Sequence, residues 1–171
     1  MLTIGARSMA FGPMLGPTSY LTQLDILLKH GIDPEGDLSR YSIPPGTFKH
    51  EKVIYGVLME KYDAGAAPLF DFERMAADGR IDRDDFTVLA ESEPVPYCNF
   101  GVTQRVDEGL AKRFKQAVLA ITKDTTVEVD GETVRVLERA SVDGYDDIQD
   151  RDFDSIREMA KRTNMPPYQR Y

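Results

Sequence analysis

The chain has 171 residues, 42% hydrophobic and 29% charged, with 21 Lys and Arg against 29 Asp and Glu for a formal net charge of −8. That length fits one ordinary domain or two small lobes with a real core, and the composition excludes a disordered chain. The acidic total, with no basic run interleaved with aromatics, argues against a nucleic-acid partner, while leaving room for an anion held by local N–H donors.

In chain order, Met9–Gly12 predicts a short apolar strand. Thr18 and Ser19 then open a helix to about Lys29, with Tyr20, Leu24, Leu27 and Leu28 on one face and Gly31 and Pro34 as its stop. Leu38–Ile43 predicts a second strand closed by Pro44, Pro45 and Gly46, and Lys49–Lys61 a second helix facing inward with Val53, Ile54, Val57 and Leu58. Asp63–Ala67 is a small-residue strand leading into a helix from Pro68 to about Ala77, with Pro68 suited to the first helical position. Thr87–Glu91 predicts a further strand. This alternation implies parallel βαβ units and an open α/β sheet.

After Ser92 the pattern changes. Pro94 and Pro96 hold an extended segment, and Asn99–Thr103 resumes a strand. Asp107 caps a helix to Ile121 whose apolar stripe is Leu110, Phe114, Ala117, Val118 and Ile121. Thr126–Glu138 reads as a hairpin turning at Asp130-Gly131. A last helix runs from Asp152 to about Arg162, with a loose tail from Asn164 to Tyr171.

The loop Gly12-Pro13-Met14-Leu15-Gly16-Pro17 feeds a helix start, so it is either an anion-binding N-terminus with the Thr18 and Ser19 hydroxyls at hand, or a turn capped by Thr18. No lysine follows either glycine, which removes a nucleotide P-loop, and the spacing fails a dinucleotide fingerprint. His50 begins a helix, where it can donate to an anion or simply sit at the surface; His30 beside Gly31 reads as a C-terminal cap. Asp150, Asp152 and Asp154 mimic the start of a calcium loop, but Ser155 and Lys161 stand where glycine and glutamate are needed. Two histidines and one cysteine are too few for an ordinary His/Cys metal site, and no hydrolase or metalloprotease motif is present, so neither a cofactor nor a catalytic residue is assigned. An enzyme using Cys98 as nucleophile is the third-ranked reading. The lone Cys98 rules out an internal disulfide, no stretch nears the roughly 20 apolar residues of a membrane span, and Met1–Ser8 lacks a secretory core, which as written keeps the chain in the cytoplasm.

An ordered series of segments carries a resemblance. It runs through Ala10-Phe11-Gly12, Thr18-Ser19-Tyr20-Leu21, Leu28–Pro34, Lys49-His50, Tyr62-Asp63-Ala64-Gly65, Gly79–Asp82, Val88–Pro96, Asp143-Gly144-Tyr145 and Phe153–Met159. Together these resemble the later portion of a phosphonate-type periplasmic substrate-binding protein, the receptor of an ABC importer. The resemblance implies a type II periplasmic-binding-protein-like α/β fold: a near-complete βαβ lobe over residues 7–91, then a return segment and part of a second lobe over 92–165, with 126–138 as a hairpin insertion. It implies a phosphonate- or phosphate-like oxyanion or related solute as ligand, a permease as partner of the full-length protein, an extracytoplasmic location, and no chemistry. The family's hydroxyl triplet falls by position on Gly16, Pro17 and Thr18, with Ser19 and Tyr20 following, and its histidine on His50. One carboxylate falls on Cys98, flanked by Tyr97 and Asn99, and another near Phe70-Asp71. The lost hydroxyls and the cysteine make a 2-aminoalkyl phosphonate a poor ligand. In the family, the segment resembling Ser8–Gly12 is preceded by about half of the other lobe, of which residues 92–165 supply only the C-terminal part; missing that half-lobe implies apolar surface that favours a homodimer or another partner, and so an alternative reading as an interaction or structural fragment.

Overall fold

Residues 7–14, 16–45, 50–97, 99–140 and 142–170 are described by a computed structural model of the chain. They divide into two units, residues 1–95 with 153–171 and residues 96–152. The architecture is mixed α/β.

The first unit is built on three short parallel strands. β1 (Ser8–Ala10) is central, with β2 (Arg40–Ser42) on one side and β3 (Ala64–Gly65) on the other, in register Met9 to Tyr41 and Met9 to Ala64. A central parallel strand is covered on both faces, and Ala10 and the following Phe11 are fully buried. α1 (Thr22–Lys29) is entered through a π-helical turn at Pro17–Leu21. It ends as the sequence predicts: Gly31 takes φ +72, the Ile32 amide donates to the Leu27 carbonyl at 2.9 Å and the Gly31 amide to Leu28 at 3.0 Å. Phe11, Tyr20, Leu27, Ile32 and Leu38 close the core on this side of the sheet. A single turn, α2 (Pro34–Asp37), capped by Asp33 through the Glu35 amide at 3.0 Å, leads into β2.

α3 (Glu51–Leu58) lies directly on β3. A Cβ at Gly65 would stand 2.8 Å from a Val53 methyl and 2.9 Å from one of Val57, so this approach requires glycine. α4 (Leu69–Ala77) packs Phe72 and Met75 against Ile54 and Ile81; Pro68 is its N-cap, one position earlier than predicted.

Three sequence expectations need correction. Thr87–Glu91 has no regular secondary structure and joins no ladder, and Val88 and Leu89 are exposed; apolar residues make a strand only where a neighbouring strand accepts their hydrogen bonds. For the same reason Asn99–Thr103 carries no strand. The tail is not loose: Met165 packs beside Leu21, Met159 and Tyr168, and the Asn164 side chain exchanges two hydrogen bonds with the Arg170 backbone.

In the second unit, α5 (Glu108–Leu119) is capped by Asp107, whose carboxylate accepts from the Leu110 amide at 2.8 Å. β4 (Thr126–Val129) and β5 (Glu132–Arg135) form the predicted hairpin, with Asp130 at φ +53 and Gly131 at φ +83, the left-handed pair a tight two-residue turn requires. The final helix, α6 (Asp154–Arg162), preceded by a 3-10 turn at Asp150–Phe153, belongs to the first unit. It is tied to α1 by Arg162, whose Nε donates to the buried Asp25 carboxylate at 2.7 Å and whose NH2 donates at 3.1 Å.

Candidate functional site

In a parallel sheet every strand delivers its chain to the same edge. The Gly12–Pro17 loop follows β1, His50 follows β2 and opens α3, and Asp71 lies in the first turn of α4 after β3. The sheet therefore gathers at one edge what lies up to 59 residues apart in sequence.

The loop after β1 folds back on the helix it feeds. The Gly12 amide donates to the Ser19 carbonyl at 2.9 Å. A Cβ on Gly12 would stand 2.5 Å from the Ser19 Cβ, and one on Gly16 would stand 2.7 Å from its Oγ. Both glycines are there to make room for Ser19. Ser19 is fully buried, and its Oγ has no hydrogen-bond partner among the described residues. The expected cap at Thr18 is corrected: Gly16 holds the cap position, Pro17 the first helical position, and no side chain caps the turn. The first N–H groups of the helix thus have no side-chain acceptor, and Thr18 in the first turn is only partly buried.

Tyr20 is turned into the core. Its hydroxyl lies 2.5 Å from that of Tyr41, and both rings pack on Phe11 at centroid distances of 5.5 and 5.2 Å. Burial, together with the Tyr20 hydroxyl, pushes the Tyr41 phenol well above its ordinary range, so it stays protonated.

His50 is held rather than loose on the surface. Its Nδ1 lies 2.7 Å from Asp71 Oδ2, and Arg74 donates to Asp71 Oδ1 at 2.6 Å. The Asp71 side chain is 9% exposed and that of His50 16%, so the carboxylate is nearly sealed between an imidazole and a guanidinium. Sequence reasoning singled out His50 and reached Asp71 only through the family pattern; it missed Arg74. The signal for Arg74 is its spacing, three residues after Asp71 on one helical face. His30 sits exposed at the end of α1, in keeping with a C-terminal cap.

Tyr97 and Asn99 belong to the second unit, where both are exposed and line an open groove of about 830 Å³ with Phe100, Phe114 and Tyr145. Cys98 lies outside the described residues. Of the acidic run, Asp152 caps its own turn through the Gln149 amide at 2.7 Å and Asp154 pairs with Arg157 at 2.7 Å. No group of metal-ligating side chains occurs among the described residues.

A family model, that of the periplasmic phosphonate substrate-binding proteins of ABC transporters, matches residues 3–153. The chain belongs to that family. No curated protein matches it. The family comprises periplasmic substrate-binding components and is generally non-enzymatic, and the matched span runs through the second unit and the first unit up to the start of α6, taking in the loop after β1, His50, Asp71 and Arg74. In this phosphonate-binding-family chain no described helix is long and apolar enough to cross a membrane.

Proposed function

We propose that this chain is the solute-binding component of an ABC-type importer, working outside the cytoplasm, and that its first unit holds a small phosphate- or phosphonate-like oxyanion without converting it. The observation that supports this reading is the shared strand edge. Open α/β sheets bind ligands outside the carboxyl ends of their strands, where the strand order reverses. The order β2-β1-β3 puts that reversal at β1, whose outgoing loop is the helix entry at Gly16–Thr18. Uncapped N–H groups and the positive end of the helix dipole suit an anion there, with Thr18 as the accessible hydroxyl and the His50 ring as a further polar contact from the neighbouring segment. Ser19 shapes the loop from beneath.

Isothermal calorimetry with phosphate and methylphosphonate tests the reading. Thr18→Ala is expected to weaken binding by roughly 3- to 10-fold, the value of one hydrogen bond, and His50→Gln by about 10-fold. Absence of heat with both anions, or unchanged affinity in both variants, refutes it.

One observation favours a second reading, an interaction module. α5 has no buried residue, and Leu110 and Phe114 on its apolar stripe are about half exposed. A concentration-dependent dimer in light scattering, silent to both anions, would support that reading over the receptor.

A further inference from the structure

The pairing of His50 with Asp71 says more about the ligand than the presence of a histidine does, and the following rests on the oxyanion reading above. An uncharged imidazole carries one proton, on either nitrogen, and the hydrogen bond made by one nitrogen decides what the other can offer. Asp71 is an acceptor only, and it faces Nδ1 at 2.7 Å. The proton of an uncharged His50 is therefore on Nδ1, and Nε2 presents a lone pair. Among the described residues Nε2 has no hydrogen-bond partner. Among the described residues the charged groups next to His50 are Asp71, with Arg74 paired to it on α4, and the adjoining Glu51 on α3, itself paired with Arg80 at 2.8 Å. Each Asp71 oxygen accepts one hydrogen bond, from His50 and from Arg74, and with the side chain only 9% exposed little of the carboxylate is open to an ammonium group from a ligand.

We propose that Asp71 is a positioning residue that holds His50 in its Nδ1–H form, so that Nε2 accepts a hydrogen bond from an oxyanion that still carries a proton and no ammonium group. Hydrogen phosphate has such a proton to give; sulfate has none. Against sulfate the lone pair of Nε2 meets an oxygen lone pair, and a buried polar contact is left unmade. That difference is worth roughly tenfold or more in affinity.

Two measurements on the full chain test this. Nitrogen-15 spectra of the ligand-free protein at pH 9 report which His50 nitrogen bears the proton, and the expected form is Nδ1–H. Calorimetry at the same pH with inorganic phosphate and sodium sulfate is expected to show phosphate bound at least tenfold tighter. In Asp71→Asn the side-chain amide can donate to Nδ1, which moves the proton to Nε2, and the phosphate preference is expected to shrink below about threefold or reverse. An Nε2–H form in the wild type, which needs no variant to observe, overturns the proposal. So does an undiminished preference for phosphate in a folded Asp71→Asn. If the wild type shows the Nδ1–H form but binds neither anion, the oxyanion reading and the ligand assignment fall, and only the positioning of the ring by Asp71 stands.

Discussion

Replacing Asp25 by Asn tests the joint between α1 and α6. The Asp25 side chain is 2% exposed and receives Arg162 Nε at 2.7 Å, Arg162 NH2 at 3.1 Å and Lys29 Nζ at 2.9 Å. Burial alone would raise this carboxyl. The hydrogen bonds from Arg162 and Lys29, and then their charges, outweigh it and leave Asp25 below the usual carboxylate range. Asparagine keeps the shape and one acceptor oxygen but removes the charge. Charge-assisted hydrogen bonds are each worth about 1.5–3 kcal/mol net, and Arg162 and Lys29, 43% and 50% exposed, recover part of that from water. The expected loss is about 2 kcal/mol at pH 7. With a urea m-value near 2 kcal/mol/M this lowers the midpoint by roughly 1 M, at unchanged slope, in circular dichroism. Because the folded carboxyl is lowered, its stabilisation is fully present above the unfolded value of about 3.9 and is lost as pH falls through the lowered folded value. The two proteins should therefore converge in strong acid. Equal midpoints at pH 7, or a deficit that does not shrink as pH falls below the unfolded carboxylate value, would refute the reasoning.

Two further outcomes follow from packing. Ser19→Ala removes a buried hydroxyl that lacks a partner and is expected to stabilise the protein by about 1 kcal/mol, read as a rise in Tm with the same calorimetric affinity for phosphate; a fall in Tm would mean that Ser19 holds the loop by a bond of its own. Gly65→Ala pushes a methyl into Val53 and Val57 and is expected to cost about 1–3 kcal/mol in urea unfolding, partly restored by Val57→Ala; no loss would show that α3 slides freely on β3.

Elements that depend on local chemistry were legible. The Schellman stop at Gly31, the Asp107 cap and the Asp130-Gly131 turn each use a residue whose own conformational freedom or side-chain oxygen fixes the backbone nearby. Elements that depend on a remote partner were not. Thr87–Glu91 has strand chemistry without a strand neighbour, and Asn164–Tyr171 has the composition of a loose end, yet Met165 finds an apolar pocket made largely by α6 and Leu21. Of the candidate site, the helix entry and His50 could be seen in the sequence, because glycine, proline and a histidine at a helix start are local marks. The Thr18 cap was misread because Pro17, one residue earlier, already occupies the first helical position and moves the cap to Gly16.

The βαβ alternation of residues 8–77 and the family can be read from the sequence alone. Periodicity, turn residues and an ordered set of family segments are properties of the chain read along its length. How the candidate residues are wired together appears only once the chain is folded. Ser19 was a candidate ligand contact and lies beneath two glycines; Tyr20 was another and shares its hydroxyl with Tyr41. His50 was a lone histidine and became one end of a His50–Asp71–Arg74 chain. A hydrogen bond joins atoms about 3 Å apart wherever they lie in sequence, and parallel strands bring distant segments to the same carboxyl end of the sheet.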